Sequence, residues 1–204
     1  MLNDWINKRY LNDSAINYIN KTFKNSKPYP HFVLNNFFSK DRIFQLRRAV
    51  LKEKFERIDN DLFSFSHTND LISTTNSIIK KFHSFIISKK FISLIQKLTS
   101  EKLVQKIDMQ AHVFQQNDYL LFHDDDLEGR KIAYILYLSQ GFISKDGGKL
   151  RLYDIKNPTS PIKEIAPKFN SFVCFRVSKK SLHAVEEIMA NKKRITVGGW
   201  FYGN

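Results

Sequence analysis

His123, Asp125, His183 and Arg194 are the residues of this chain whose types and order could do chemistry together. Two imidazoles and one carboxylate can occupy one face of an octahedral ion and leave the other face open, which suits non-haem Fe(II) and oxygen chemistry. Arg194 is then left over to hold an anion, because a planar guanidinium grips a carboxylate through two parallel N–H donors. The spacing is compatible with extended structure. Residues i and i+2 of a strand point the same way, so His123 and Asp125 are expected to share one ion while Asp124 faces elsewhere. His183 follows His123 by 60 residues, and Arg194 follows His183 by 11. The run Asp124-Asp125-Asp126 also raises a Ca²⁺ site. Consecutive residues cannot all converge, however, and the alternating spacing of Ca²⁺ loops is absent. His-x-Asp arises by chance in many chains, so its value rests on the elements around it.

Those elements read as strands. Gln110 to Phe122 is mostly apolar or aromatic apart from the polar turn Gln115-Gln116-Asn117-Asp118, which predicts two strands with His123 ending the second. Lys131 to Leu138 is a nearly continuous apolar run, as expected of a strand buried on both faces. Gly147-Gly148 marks a turn before the alternating Lys149–Tyr153, and Asn157–Pro161 is a loop. Ser171–Val177 is another strand, leading through Ser178–Ser181 into His183, and Arg194–Tyr202 closes the chain as a β-branched and aromatic strand. About six to eight short strands between turns predict a sandwich or jelly roll with the ligands at strand ends on one rim.

The N-terminal half reads as support. A short helix is expected within residues 1–27, anchored by Leu11, Ile16, Tyr18 and Ile19, and His31–Phe38 reads as a strand after Pro28 and Pro30. Ser39 and Asp41 can cap a helix reaching Arg57, with Ile43, Leu46 and Val50 inward. Asn60–Thr75 reads as a loop with a short extended piece. Amphipathic helices follow at about Ser77–Ile87 and Ser88–Leu98.

In order and spacing these segments resemble the Fe(II)- and 2-oxoglutarate-dependent dioxygenases. The likeness is to their prolyl 4-hydroxylase-like branch, and in particular to the catalytic domain of the eukaryotic ribosomal-protein prolyl hydroxylases. The matching strings are Asp118–Asp125, Gly129-Arg130 before Tyr134–Leu138, Gly147–Leu150, Pro167–Phe172, His183-Ala184-Val185, Arg194-Ile195-Thr196 and Gly199-Trp200-Phe201. Pro28–Phe32 and Asp61–Phe65 look like the entry segments of the ribosomal-type enzymes, so the resemblance runs from about Pro28 to Tyr202. It implies a mainly β fold with flanking α: a double-stranded β-helix over residues 101–204, jelly-roll and cupin-like, with the helices of residues 1–100 packed outside.

The same resemblance implies Fe(II) held by His123, Asp125 and His183, and 2-oxoglutarate held through its distal carboxylate by Arg194. Thr196, on the same side of the closing strand, would add a hydroxyl bond, and the Tyr137 phenol would reach the same carboxylate. Asp124 and Asp126 are left as solvated or outlying groups, and Lys192 and Lys193 as a solvated turn. The implied reaction consumes O₂, converts 2-oxoglutarate to succinate and CO₂, and hydroxylates a carbon, with ascorbate as an accompanying reductant. The cofactor carries that chemistry, so no side chain need act as a conventional acid or base.

The substrate expected from the branch is a prolyl residue of a protein or peptide. A hydroxylase of a free amino acid or small metabolite is the alternative, and a non-catalytic cupin-like binding module the second. Intact ligands and an intact Arg194 argue against the module. The nucleic-acid demethylases resemble the chain less, since they place a further Arg on the strand where Val197-Gly198-Gly199 stands here. An extended prolyl peptide needs an open groove. Asn60–Thr75, with Phe63, Phe65 and His67 alternating, and Asp124–Gly129 are its expected walls.

Composition bounds the rest. At 204 residues one domain, 1–204, is expected. The ribosomal-type enzymes carry a second, non-catalytic barrel that this sequence is expected to lack. Cys174 sits in an apolar strand and reads as a small hydrophobe. No signal-peptide core or membrane-spanning run is seen, so a cytoplasmic protein without membrane partners is expected. Net charge is +13, with 17 Lys and Arg against 8 Asp and Glu in residues 1–100 and 16 against 12 in residues 101–204. A basic surface can bind nucleic acid, but Lys, Asn and Ile are all abundant and no nucleic-acid motif accompanies them, so nucleic acid is not an expected partner. His31, His67 and His83 read as structural or surface groups, and His112 lies on a strand that could face the barrel interior.

Overall fold

A computed structural model describes residues 2–203. Among them, eleven strands join in one antiparallel sheet: β1 (His31–Asn35), β2 (Glu56–Asp59), β3 (Phe63–His67), β4 (Gln110–Phe114), β5 (Tyr119–His123), β6 (Arg130–Tyr137), β7 (Leu150–Leu152), β8 (Lys163–Ile165), β9 (Ser171–Arg176), β10 (His183–Val185) and β11 (Arg194–Tyr202). Their order is β1-β9-β6-β11-β4-β3-β5-β10-β7-β8, with β2 on β3. The sheet turns over at β3. Ser66 and His67 pair with Val113 and His112 of β4, whereas Phe63 and Ser64 pair with Leu120 and Tyr119 of β5. Strands β5, β10 and β7 therefore face β6, β11 and β4 across an interior lined from both sides, in the jelly-roll arrangement expected.

Helices α1 (Leu2–Trp5), α2 (Asp13–Asn25), α3 (Lys40–Val50), α4 (Ser77–Ile86) and α5 (Lys89–Thr99) cover the outside of the longer layer. Strand alternation divides β6 between two cores. Ile132, Tyr134 and Leu136 join the helix-side cluster with Phe82, Phe91 and Ile95, while Ala133 and Tyr137 turn inward against Leu150 and Phe175. Each such large apolar side chain contributes about 1.5–3 kcal/mol by leaving water. Asn76 and Ser88 cap α4 and α5 by accepting from Ile78 N and Phe91 N, which fixes both helix starts close to where the sequence placed them. Cys174 is buried, and no helix of the described residues is long and apolar enough to cross a membrane.

The N-terminal half departs from expectation. The helix after Ser39 stops at Val50, and Arg57 lies in β2, opposite Ser66 of β3. The reason is long-range. Arg57 Nη1 and Nη2 donate to the two oxygens of the buried Asp118, each at 2.7 Å, and tie this hairpin to the β4–β5 turn. Asn60–Thr75, expected as a loop with a short extended piece, contains that piece as β3, the strand on which the sheet turns over. β1 ends at Asn35 rather than Phe38. In α2 the buried anchors are Ile19 and Phe23, while Tyr18 is 73% exposed. The first hundred residues thus supply three strands besides their helices.

Candidate metal centre and anion pocket

His123 ends β5 and His183 opens β10, and the two stand directly opposite in the β5–β10 ladder. Their ring centroids are 4.0 Å apart. His123 Nε2 lies 3.7 Å from Asp125 Oδ1, and His183 Nε2 lies 3.4 Å from Asp125 Oδ2. Octahedral bonds of about 2.1 Å put neighbouring donors roughly 3 Å apart, so a small contraction closes this set on one ion. The other ring nitrogens are already committed. His123 Nδ1 is 2.9 Å from Leu121 O, and His183 Nδ1 is 2.7 Å from Ser181 O. A carbonyl only accepts, so each Nδ1 carries a proton, and Nε2 is the ring nitrogen aimed at the carboxylate and at the space an ion would occupy.

Asp125 does not arrive by strand alternation, as the His-x-Asp spacing suggested. β5 has ended at His123, and Asp125 has φ of 63°, so a left-handed turn swings its carboxylate back beside the imidazoles. Asp tolerates that region better than most residues. Ser181 Oγ donates to Asp124 O at 2.7 Å and pins this turn to the approach of β10. Burial, then His183, lowers His123 to a pKa of about 4. Burial pushes the Asp125 carboxyl up, but its hydrogen bond and charge contact with His183, with His123 and Trp200, outweigh this and bring it to about 2. The Trp200 indole N–H is itself buried and makes no hydrogen bond of normal geometry, although it lies near enough to help hold the carboxylate ionised. Near pH 7 an anionic carboxylate therefore faces a neutral His123 imidazole, the protonation states that a cation requires of such ligands.

A cavity of about 330 Å³ opens from this cluster between the two layers. Along its longer wall Thr196 stands opposite His112 and His112 opposite His67, with Tyr137 opposite Thr196 on the other side, behind the lining. The next row holds Arg194 opposite Phe114. Arg194 is only 2% exposed. Its Nε donates to Gly148 O at 2.9 Å, its Nη2 to the Tyr137 hydroxyl at 3.3 Å, and its guanidinium lies 5.0 Å over the Phe114 ring. Among the described residues no carboxylate pairs with it. A buried cation without a counter-charge is costly, so this end of the cavity suits an incoming anion. Gly148 makes the approach possible. It has φ of 72°, and a Cβ there would stand 2.6 Å from Ile188 Cδ1 and 3.3 Å from Arg194 Cδ.

The residues singled out in the sequence separate into three groups. His123, Asp125 and His183 converge, and Arg194 and Thr196 line the same cavity. Tyr137 is fully buried behind that lining, its phenol against the guanidinium rather than the cavity. On the outer wall, Phe63, Phe65 and His67 face inward from β3, with Phe65 stacked on Phe114 at 4.9 Å. Of Asp124–Gly129, only Asp125 reaches this cavity. Lys192 and Lys193 lie in a partly solvated turn outside the cavity, as expected, and Lys192 Nζ donates to Asp146 Oδ2 at 2.5 Å and Gly141 O at 2.7 Å, fixing the turn before β11. His31 is structural, bonded through Nδ1 to Tyr29 O, and His83 lies outside the site. Phe114 and Trp200 were not picked from the sequence. Alternation from His112 and from Arg194 would have found both.

Residues 109–202 match the sequence profile of the 2OG-Fe(II) oxygenase superfamily. Prolyl 3-hydroxylase OGFOD1 of Xenopus laevis is 35% identical over 183 residues, covering 87% of this chain and 36% of that protein. Prolyl 3,4-dihydroxylase OGFOD1 of Ostreococcus tauri is 30% identical over 201 residues, covering 87% and 38%. The chain thus spans little more than a third of the length of these curated relatives. A Trichoplax adhaerens prolyl hydroxylase, solved in complex with a peptide fragment of the hypoxia inducible factor oxygen degradation domain, superposes with TM-score 0.77 at 16% identity, covering 96% of this chain and 92% of that one. A Pseudomonas putida prolyl-4-hydroxylase gives 0.71 at 14%, covering 93% and 99%. The fold is the double-stranded β-helix of such oxygenases.

Proposed function

The chain belongs to the 2OG-Fe(II) oxygenase superfamily, and on that premise we propose that it hydroxylates a prolyl residue of a protein or peptide, consuming 2-oxoglutarate and O₂ and releasing succinate and CO₂. The observation that carries this reading is the sharing of one cavity by the His123–Asp125–His183 cluster and a buried Arg194 that has no carboxylate partner. The donor set fits iron, since two imidazoles and a carboxylate on one side of an ion leave coordination positions free. Those three residues would hold it. Bound there, Fe(II) supplies the redox chemistry that couples oxidation of the keto acid to oxidation of a substrate carbon.

The chain's own residues bind, orient and keep water out. The Arg194 fork takes the distal carboxylate of 2-oxoglutarate, with Gly148 O and the Tyr137 hydroxyl holding the guanidinium in place. The Thr196 hydroxyl adds a donor beside it. Leu120, Leu150, Phe175 and Val185 give the cavity an apolar lining, in which a charge-assisted bond is stronger than in water. Support for a prolyl substrate comes from the names of the curated relatives and from the aromatic wall of Phe63 and Phe65, which suits a pyrrolidine ring.

Peptides from cell lysate, incubated with the protein, Fe(II) and 2-oxoglutarate, should gain one oxygen on proline by tandem mass spectrometry. The gain should vanish with His123→Ala. Efficient turnover of free proline or another metabolite, with no competition from prolyl peptides, would replace this reading by a small-molecule hydroxylase.

A further inference from the structure

Four imidazoles line the cavity, and three have a ring nitrogen committed to backbone. His67 Nδ1 lies 3.0 Å from Thr68 O, and His123 and His183 hold carbonyls in the same way. His112 is the exception. Its ring packs edge-on to Phe65, with centroids 5.6 Å apart, and neither nitrogen has a hydrogen-bond partner among the described residues. The ring is half-buried and lines the cavity, so its nitrogens are left to whatever occupies that space.

Its position is fixed by register. His112 stands opposite Thr196, two residues along β11 from Arg194, and within electrostatic reach of both Arg194 and Asp125. It therefore lies between the anion end of the cavity and the metal cluster. Its ring lines the same cavity as Arg194, His123, Asp125 and His183, in which a dicarboxylate anchored on Arg194 would reach towards the cluster. We propose that His112 contacts 2-oxoglutarate and donates an N–H to the carboxylate of its keto-acid end. This rests on the reading of the cavity as a 2-oxoglutarate site. One carboxylate end is then held by Arg194 and the other by His112, which selects a 2-oxo acid of this length over a monocarboxylate.

The test is direct ligand binding, followed by calorimetry on protein loaded with Mn(II), which supports no turnover. His112→Ala should weaken 2-oxoglutarate by about tenfold, the effect of losing one charge-assisted bond. His112→Asn, which keeps an N–H donor, should lose less than about threefold. 4-Oxopentanoate keeps the distal carboxylate and the keto group but carries a methyl in place of the keto-acid carboxylate, so its affinity should be the same in both variants and the parent. Mn(II) affinity should also be unchanged. Arg194→Ala, by contrast, should weaken both anions.

Four results would overturn the assignment: 2-oxoglutarate affinity unchanged in His112→Ala, equal weakening of 2-oxoglutarate and 4-oxopentanoate, a parallel loss of Mn(II) affinity, or a change confined to the KM for a prolyl peptide. If the alanine variant fails to fold, His112→Leu keeps the ring's volume and is read in the same way. Failure of the unaltered protein to bind 2-oxoglutarate would sink the functional reading itself and the His112 role with it. Normal binding there with normal binding in His112→Ala removes the role of His112 alone.

Discussion

Replacing Arg194 with Ala tests the anion end of the cavity most directly. In the parent protein Nε and one Nη2 hydrogen serve Gly148 O and the Tyr137 hydroxyl, which leaves the Nη edge for a carboxylate. A charge-assisted bond of this kind contributes about 1.5–3 kcal/mol, so the variant should need roughly 10- to 150-fold more 2-oxoglutarate. Stability without ligand should move little. The variant loses the Gly148 bond and the contacts with the Phe114 and Tyr137 rings, but it also loses a buried cation that lacks a counter-charge. Thermal unfolding with added co-substrate separates the two effects. At 100 times its Kd a ligand stabilises the folded state by about 2.7 kcal/mol. If Kd rises 100-fold, the same concentration gives only about 0.4 kcal/mol. Succinate release titrated against 2-oxoglutarate gives the second readout. A requirement unchanged within about threefold, with the ligand-induced stabilisation intact, would show that another residue holds the anion.

His123→Ala and Asp125→Ala should each abolish turnover and cut metal affinity while the circular dichroism spectrum keeps its β signature. Full activity of either with Fe(II) titrated refutes the triad. With metal chelated, stability should fall as pH drops from about 6.5 to 4, because His112 and His123 sit at about 4 when folded and the unfolded chain binds more protons in that window. Asp125, at about 2, extends the loss downward from 3.8, and urea midpoints that stay flat from pH 7 to 4.5 would contradict this. Arg57→Ala leaves the buried Asp118 carboxylate without its bidentate partner and should cost about 2–3 kcal/mol in urea unfolding; Asp118→Asn in the same background should restore part of it. Phe63→Ala should raise the KM for a prolyl peptide while succinate release without peptide persists, and loss of both together would place Phe63 in the fold alone.

What was legible in the sequence had a local signature. β6, β9 and β11 are long apolar or β-branched runs, and the amphipathic spacing marked α4 and α5 to within a residue or two. The order of His123, Asp125, His183 and Arg194 pointed to one site, and the structure gathers all four around one cavity. What escaped depends on partners far along the chain. β2 follows α3 after a few residues, and only the distant Asp118 explains why Arg57 is extended. The extended piece expected within Asn60–Thr75 is β3, Phe-Ser-Phe-Ser-His, but its bounds and its place at the turnover of the sheet follow only from its pairing with β4 and β5. The approach of Asp125 depends on a positive φ that no spacing rule encodes. His112 could not be assigned because a strand's inward face is known only once the sheet has closed.

The turnover of the sheet at β3 has an evolutionary consequence. Phe63, Phe65 and His67 turn towards the cavity, while Ser64, on the opposite face, is buried and bonded to Arg57 and Asp118. Selection for a new target can therefore rewrite only alternate letters of a five-residue word, the others being held by the closure of the barrel. An insertion or deletion of a single residue there would invert the word, taking the aromatic face out of the cavity and putting the serines into it. Relatives that diverge in what they recognise along this wall should do so by substitution in register, with β3 constant in length.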